Sequence, residues 1–249
     1  MMSKFILEVC VDSVESAVAA ARGGADRLEL CANLIIGGTS PSPYLFQEIR
    51  KHTDIPIHVL LRPRFGDFCY TDAEFSILKE EVSHFRNMGA EGAVIGILTP
   101  DGSLDTKRLG ELAKLGEGMS LTLHRAFDVC RDPFAAMEQA MELGFSTILT
   151  SGQKNSALEG AELIKELEEK SQGRILIQAG SGVNAQVIQK LYPITKARAY
   201  HMSGKVTLDS NMRYRKAGVS MGIGSVSEYE IWRTDEEAVR KAREVLEGL

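Results

Sequence analysis

Two short segments near the start of the chain place a carboxylate and a thiol two residues apart. Glu8 precedes Cys10, and Glu29 precedes Cys31 in the same way. Residues two apart in a β-strand point to the same face, and a carboxylate turned towards an apolar helix layer would be costly. We therefore expect both pairs to point into the interior of the fold, where Cys10 and Cys31 would lie close together on neighbouring strands. Two thiolates in that arrangement suit a soft metal ion.

Histidines lie at three further candidate strands. Imidazole and carboxylate groups suit a borderline or hard divalent metal ion, or acid–base catalysis. A single histidine in a core is more often hydrogen-bonded than functional, so the functional interpretation depends on the whole set. The candidate catalytic residues are Glu8, Glu29, His58, His124 and His201.

Other polar residues at strand ends predict an anion-binding region. Arginines in the segment 62–70 can capture a carboxylate or phosphate with two hydrogen bonds, and glycine-rich turns let backbone N–H groups approach an anion. Two structural alternatives are open: tight turns need glycine whatever they bind, and inward glutamates and arginines can neutralise one another as a buried ionic network. The candidate anion-binding residues are Arg62, Arg64, Asp67, Arg125, Asp128, Ser151, Gly152, Gly180, Gly182 and Ser203.

A short apolar run followed by a helical pattern recurs along the chain and positions these residues. Most of the runs are apolar at consecutive positions, as in strands of a covered parallel sheet. Eight such units in 249 residues predict an α/β fold, a TIM (β/α)8 barrel, as a single domain over residues 1–249. A doubly wound fold would need a glycine fingerprint after its first strand, and residues 10–13 have none. The candidate strands are 5–10, 27–31, 57–62, 92–98, 120–124, 147–151, 174–179 and 197–203.

Segment 204–233 does not follow this repeat. It is longer than ordinary loops and contains the one tryptophan of the chain, Trp232. The pattern predicts a long loop before the last helix, acting either as a lid or as a subunit contact.

Composition and charge exclude several functional classes. The chain has 34 acidic and 29 basic residues and no cluster of lysines and arginines, which argues against nucleic acid as a partner. It also lacks an apolar stretch of the about 20 residues that a membrane helix needs. Four dispersed cysteines indicate reduced thiols. We expect a cytoplasmic protein without a signal peptide.

Six segments of the sequence resemble motifs of the CutC family of copper homeostasis proteins. The resemblance extends over essentially the whole chain and implies a TIM-like barrel, a cytoplasmic location, a role in copper tolerance or handling, and self-association, with a dimer expected. Phe65 stands where members usually have glycine, and Met202 where they often have a small residue. The segments are 8–13 (EVCVDS), 24–31 (GADRLELC), 62–70 (RPRFGDFCY), 124–128 (HRAFD), 149–153 (LTSGQ) and 212–215 (MRYR).

The family resemblance leaves two functional hypotheses. In the first, Cys10 and Cys31 bind Cu(I), with a nearby histidine as a possible third ligand. In the second, the protein is a barrel enzyme, a lyase, isomerase or hydrolase, that acts on a small anionic metabolite and affects copper indirectly. A divalent metal ion would also be compatible with the second hypothesis.

Overall fold

Eight short parallel strands close into a barrel in the computed structural model, which describes residues 5–224 and 226–249. A helix follows each strand, although a β-ribbon intervenes before the last helix, so the predicted TIM barrel in one domain is confirmed. The barrel strands are β1 (Ile6–Val11), β2 (Arg27–Leu30), β3 (Ile57–Leu60), β4 (Gly92–Ile95), β5 (Ser120–Leu123), β6 (Thr147–Thr150), β7 (Leu176–Ala179) and β8 (Ala199–Met202). The helices are α1 (Val14–Arg22), α2 (Pro43–Arg50), α3 (Asp72–Asn87), α4 (Thr106–Leu115), α5 (Pro133–Glu142), α6 (Ala161–Ser171), α7 (Ala185–Thr195) and α8 (Glu236–Glu247).

Helix starts follow from local hydrogen bonding. Thr71 and Glu74 form a reciprocal capping box at the start of α3, and the Ser13 hydroxyl accepts the Ser16 N–H at the start of α1. Each cap satisfies backbone donors that the first helical turn leaves unpaired. Two short 3-10 helices, Leu34–Ile36 and Arg125–Val129, follow β2 and β5. None of the helices in the described part of the chain is both long and apolar enough to cross a membrane.

Strand register brings the polar residues of the interior to matching heights. On β1, Glu8 is paired with Arg27 of β2 and with His201 of β8, and Cys10 is paired with Glu29. The strands themselves are buried on both faces, with β2, β3, β4 and β6 buried at every position. Polar side chains in such strands need partners within the barrel, and the register supplies them.

The predicted long loop 204–233 is only partly a loop. Its two ends form an antiparallel ribbon of β9 (Lys205–Asp209) and β10 (Glu230–Thr234), in which Trp232 lies opposite Thr207. The ribbon is anchored to the barrel because the Thr234 N–H donates to the Ser16 hydroxyl at 3.1 Å. Alternation of polar and apolar residues in 205–209 (KVTLD) was the available sequence signal for this ribbon, and 230–234 (EIWRT) contains residues with high β-propensity without alternating.

Candidate metal centre at the barrel mouth

Three donor groups from three adjacent strands meet at the mouth of the barrel. The ligand atoms of Cys10 on β1, Glu29 on β2 and His201 on β8 all lie within 4.8 Å of one another. Cys10 and Glu29 are buried, and His201 is half-buried. Across the described residues, no other group of three histidine, cysteine or carboxylate donors converges in this way. One thiol, one imidazole and one carboxylate at this spacing can hold a single metal ion.

A buried network around Glu8 orients the imidazole of His201. The Glu8 carboxylate is fully buried and lies 2.7 Å from His201 Nδ1; it also accepts hydrogen bonds from Gln178 Nε2 at 2.9 Å and from Arg27 Nε. Burial alone would raise the pKa of Glu8, but Arg27 and His201 hold it well below its ordinary value. Since the ionised carboxylate can only accept, His201 Nδ1 carries a hydrogen and donates it. His201 Nε2 is therefore the ring atom directed at Glu29, whose Oε2 lies at 3.7 Å.

Electrostatics set the protonation of the other members of the cluster. Burial raises the pKa of Glu29; His201 opposes the rise, and the nearby Glu8 charge adds to it. Burial alone would lower the pKa of His201, but Cys10, Glu29 and Glu8 together raise it well above the usual value. Metal-free, the mouth therefore holds an imidazolium among its acidic neighbours, and a metal ion would have to displace that proton.

Cys31 lies beside this cluster but is not one of the three converging donors. Its thiol donates a hydrogen bond to Glu29 Oε2 at 3.3 Å, and burial together with the Glu29 charge raises the pKa of the thiol well above normal. Cys31 and Cys10 pack in the same small apolar cluster, with Leu60 and Val94. The two sulfurs are thus neighbours in one cluster, although Cys31 is a neutral thiol turned towards Glu29.

The remaining candidate histidines are not among the three converging donors, although His58 is paired with Glu29 in the register of β2 and β3. His58 is buried on β3, and burial followed by the Arg27 charge lowers its pKa to about 4. His124 caps the 3-10 helix after β5, because its Nδ1 accepts the Ala126 N–H at 3.1 Å. Burial and then the Arg62 charge lower the pKa of His124 to about 3. Both rings are therefore neutral at pH 7.

A cavity of about 670 Å³ opens over the cluster and collects half of the predicted anion-binding residues. Outside its wall, Arg64 is instead bound to Asp67 and to Glu74, at 2.9 and 2.7 Å. Ser151 donates to the Asp128 carboxylate beside the cavity. Of the ten predicted anion-binding residues, the cavity wall contains Arg62, Arg125, Asp128, Gly182 and Ser203, and it does not contain Arg64, Asp67, Ser151, Gly152 or Gly180.

Two members of the network were not among the predicted site residues. Arg27 and Gln178 bind Glu8 and each other, with Arg27 Nη2 donating to Gln178 Oε1 at 3.1 Å. The sequence signal for Arg27 was its position two residues before Glu29, which places both side chains on the same face of β2.

Comparison with known proteins places these features in a family. The model of the CutC family matches residues 5–206. A human protein named copper homeostasis protein cutC homolog is 43% identical over 246 residues, which cover 98% of this chain and 90% of the human one. A CutC family protein of Bacteroides thetaiotaomicron is 44% identical, covering 92% of this chain and 93% of the relative. The crystal structure of CutC from Streptococcus agalactiae superposes with a TM-score of 0.76 at 32% identity, covering 80% of this chain and 98% of that one.

Proposed function

The chain belongs to the CutC family, and from this membership and the geometry of the mouth we propose that it handles copper by binding Cu(I) at the barrel mouth. The proposed ligands are Cys10, Cys31 and His201. The observation that carries the proposal is the convergence of the Cys10, Glu29 and His201 donors within 4.8 Å at the cavity.

The donor chemistry favours a soft ion. Cu(I) prefers sulfur and imidazole ligands in low coordination, and Cys10 with His201 Nε2 provides that combination. Cys31 adds a second sulfur once its thiol has lost the proton that it donates to Glu29. Glu29 is a hard donor, and with His201 it would also suit a borderline divalent ion. The two cysteine sulfurs favour Cu(I) over such a divalent ion.

Glu8 is a positioning residue in this proposal. Metal-binding histidines are commonly oriented by a carboxylate on the other ring nitrogen, which fixes the tautomer. Glu8 does this for His201 at 2.7 Å, and Arg27 and Gln178 hold Glu8 in place.

A chelator competition for Cu(I) tests the proposal. We expect Cys10→Ser and His201→Gln to weaken Cu(I) binding by at least about 100-fold, and Cys31→Ser by about 10-fold or more, since even outer-shell changes cost about 10–100-fold. Cys130→Ser is the matched control, because Cys130 is a buried free cysteine outside the cavity wall. Unchanged affinity in Cys10→Ser would show that the site is wrong.

The size of the cavity favours a second candidate function. About 670 Å³ is far more than a bare ion needs and falls within the range of about 300–1,000 Å³ typical of small-molecule sites. This supports a barrel enzyme, a lyase, isomerase or hydrolase, that acts on a small anionic metabolite. Metabolite turnover that persists in Cys31→Ser while Cu(I) affinity falls would separate catalysis from copper handling.

We also propose a cytoplasmic location and self-association as a dimer. Free thiols at all four cysteines support the first, and family membership supports the second. Sedimentation equilibrium tests the dimer, and fractionation of cells that express the protein tests the location.

A further inference from the structure

Two buried hydrogen-bond donors in the segments that follow β3 and β5, at the barrel mouth, lack partners within the described residues. They are Arg62 Nε, on a residue that is 9% exposed, and His124 Nε2, on a residue that is 4% exposed. His124 Nδ1 accepts the Ala126 N–H, so the hydrogen of the neutral ring must be on Nε2. Both residues line the cavity. A buried donor without an acceptor costs free energy unless a ligand supplies one.

Arg62 also lacks a negative partner. Its guanidinium donates to the carbonyl oxygens of Gly37, Gly38 and Gly66, at 2.7 to 3.3 Å, and the buried Tyr70 hydroxyl is a further polar neighbour of this side chain. None of the described carboxylates lies within 4 Å of it. The carbonyls satisfy N–H groups but leave the positive charge uncompensated in a buried position, which is unfavourable.

The other two arginines of the cavity wall differ from Arg62 in this respect. Arg125 is paired with Asp128 at 2.7 Å, and Arg233 lies 3.7 Å from Glu15. Among the described residues, therefore, Arg62 is the arginine of the cavity wall that has no carboxylate partner.

Phe68 contacts both residues, and all three line the same cavity; the Arg62 charge is also near enough to His124 to lower its pKa. The Arg62 guanidinium carbon lies 4.8 Å from the centre of the Phe68 ring, and the Phe68 and His124 rings are also 4.8 Å apart. Phe68 and Leu60 both line the cavity and offer apolar surface to the carbon skeleton of a bound carboxylate.

We infer that the wall formed by Arg62, Phe68 and His124 binds the carboxylate of a small organic acid. One cation and one neutral donor match a single negative charge and the planar shape of a carboxylate; a phosphate dianion would leave a second charge unpaired there. The inference narrows the anionic metabolite of the second candidate function to a carboxylate and rests on that proposal. It does not depend on copper binding, because none of the three residues is a proposed copper ligand.

Binding of matched probes to the metal-free protein tests the inference. Benzoate and benzamide have nearly the same shape and differ in charge, and inorganic phosphate represents the other anion class. Isothermal titration should show benzoate binding at least 10-fold more tightly than either benzamide or phosphate. Equal binding of benzoate and benzamide, or tighter binding of phosphate, would overturn the inference.

Variants locate the site. Arg62→Gln should weaken benzoate binding at least 10-fold while leaving Cu(I) affinity within about 2-fold, so loss of the carboxylate site and loss of the copper site are distinguishable. Arg125→Gln is the matched control, because this arginine lines the same cavity but is already paired; its benzoate affinity should change less than 2-fold. An equal loss of benzoate affinity in both variants would indicate that the general positive charge of the cavity, rather than a site at Arg62, attracts benzoate.

A wild-type crystal soaked with benzoate keeps the inference testable if Arg62→Gln fails to fold through loss of its three carbonyl contacts. The benzoate carboxylate should lie within hydrogen-bond distance of Arg62 Nε and His124 Nε2. Benzoate ordered anywhere else in the mouth, or absent from it at saturating concentration, would contradict the inference.

Discussion

The two walls of the barrel mouth differ in whether their buried polar groups have hydrogen-bond and charge partners. On the wall of β8, β1 and β2, the Glu8 carboxylate is surrounded by Arg27, Gln178 and His201, and its charge is balanced within the protein. On the wall that follows β3 and β5, Arg62 and His124 keep donors without partners among the described residues. We call the first the completed wall, because its charges are balanced within the protein. We call the second the incomplete wall, because its unpaired donors are what is expected where a ligand supplies the missing acceptor.

Removing the charge of Glu8 should have the largest effect, because it breaks the completed wall. Glu8→Gln leaves Arg27 buried without a counter-charge, and loss of one partner of a buried pair costs about 3–5 kcal/mol of the free energy of unfolding. Chemical denaturation measures this loss. Glu138→Gln is the matched control on the surface pair with Arg174 and should cost at most about 1 kcal/mol. A cost for Glu8→Gln no larger than the control would show that the network is not a structural unit.

A substitution that displaces the His124 ring should disrupt the incomplete wall without removing a charged group. A Cβ added at Gly96 would lie 2.5 Å from His124 Cε1, so Gly96→Ala must displace the imidazole and should cost about 1–3 kcal/mol of stability. It should also abolish benzoate binding and leave Cu(I) affinity unchanged. Gly222→Ala, which meets no atom within 4 Å, is the control for both measurements. Loss of Cu(I) binding in Gly96→Ala would show that the two walls are not independent.

Acid should lower the stability of the protein through His124 of the incomplete wall. The pKa of His124 is lowered to about 3 in the folded protein, so the unfolded chain binds the extra proton as pH falls below about 6.5. Stability due to this residue is therefore complete above pH 6.5 and falls by up to about 1.4 kcal/mol per pH unit on acidification towards pH 3. His201 has the opposite sign, because its raised pKa gives stability that is lost only as pH rises through the folded value.

Unfolding free energies measured between pH 6.5 and 5 check this expectation. The wild type should lose more stability over that interval than His124→Gln, because the variant no longer takes up a proton at this position. His58, whose pKa is also lowered, contributes equally to both proteins. Parallel pH profiles would contradict the assignment of a neutral His124.

Sequence reasoning predicted the barrel and, on each wall of its mouth, polar residues that point inwards, but it missed Arg27 and Gln178 of the network around Glu8. Period-two spacing on two strands was enough to turn Glu8, Cys10 and Glu29 inwards, because alternation is a local property of each strand. The approach of Cys10 to His201, which is 191 positions away in the sequence, instead depends on closure of β1 against β8. Arg64 and Asp67 were predicted to bind an anion, but they are bound to each other on the surface, and motif composition alone cannot distinguish them from Arg62.

A substitution in the β9–β10 ribbon at the mouth should have the smallest effect on stability and binding. It tests whether the ribbon contributes to either wall. Lys205 Nζ lies 3.5 Å from the centre of the Trp232 ring, and both residues line the cavity. An exposed cation–π contact contributes about 0.5–1 kcal/mol, so Lys205→Met should lower the unfolding free energy by no more than that. Because Lys205 also places a positive charge over the mouth, the same variant should weaken benzoate binding by less than 3-fold and leave Cu(I) affinity unchanged. A loss of benzoate affinity as large as that of Arg62→Gln would move the anion site from the barrel wall to the ribbon.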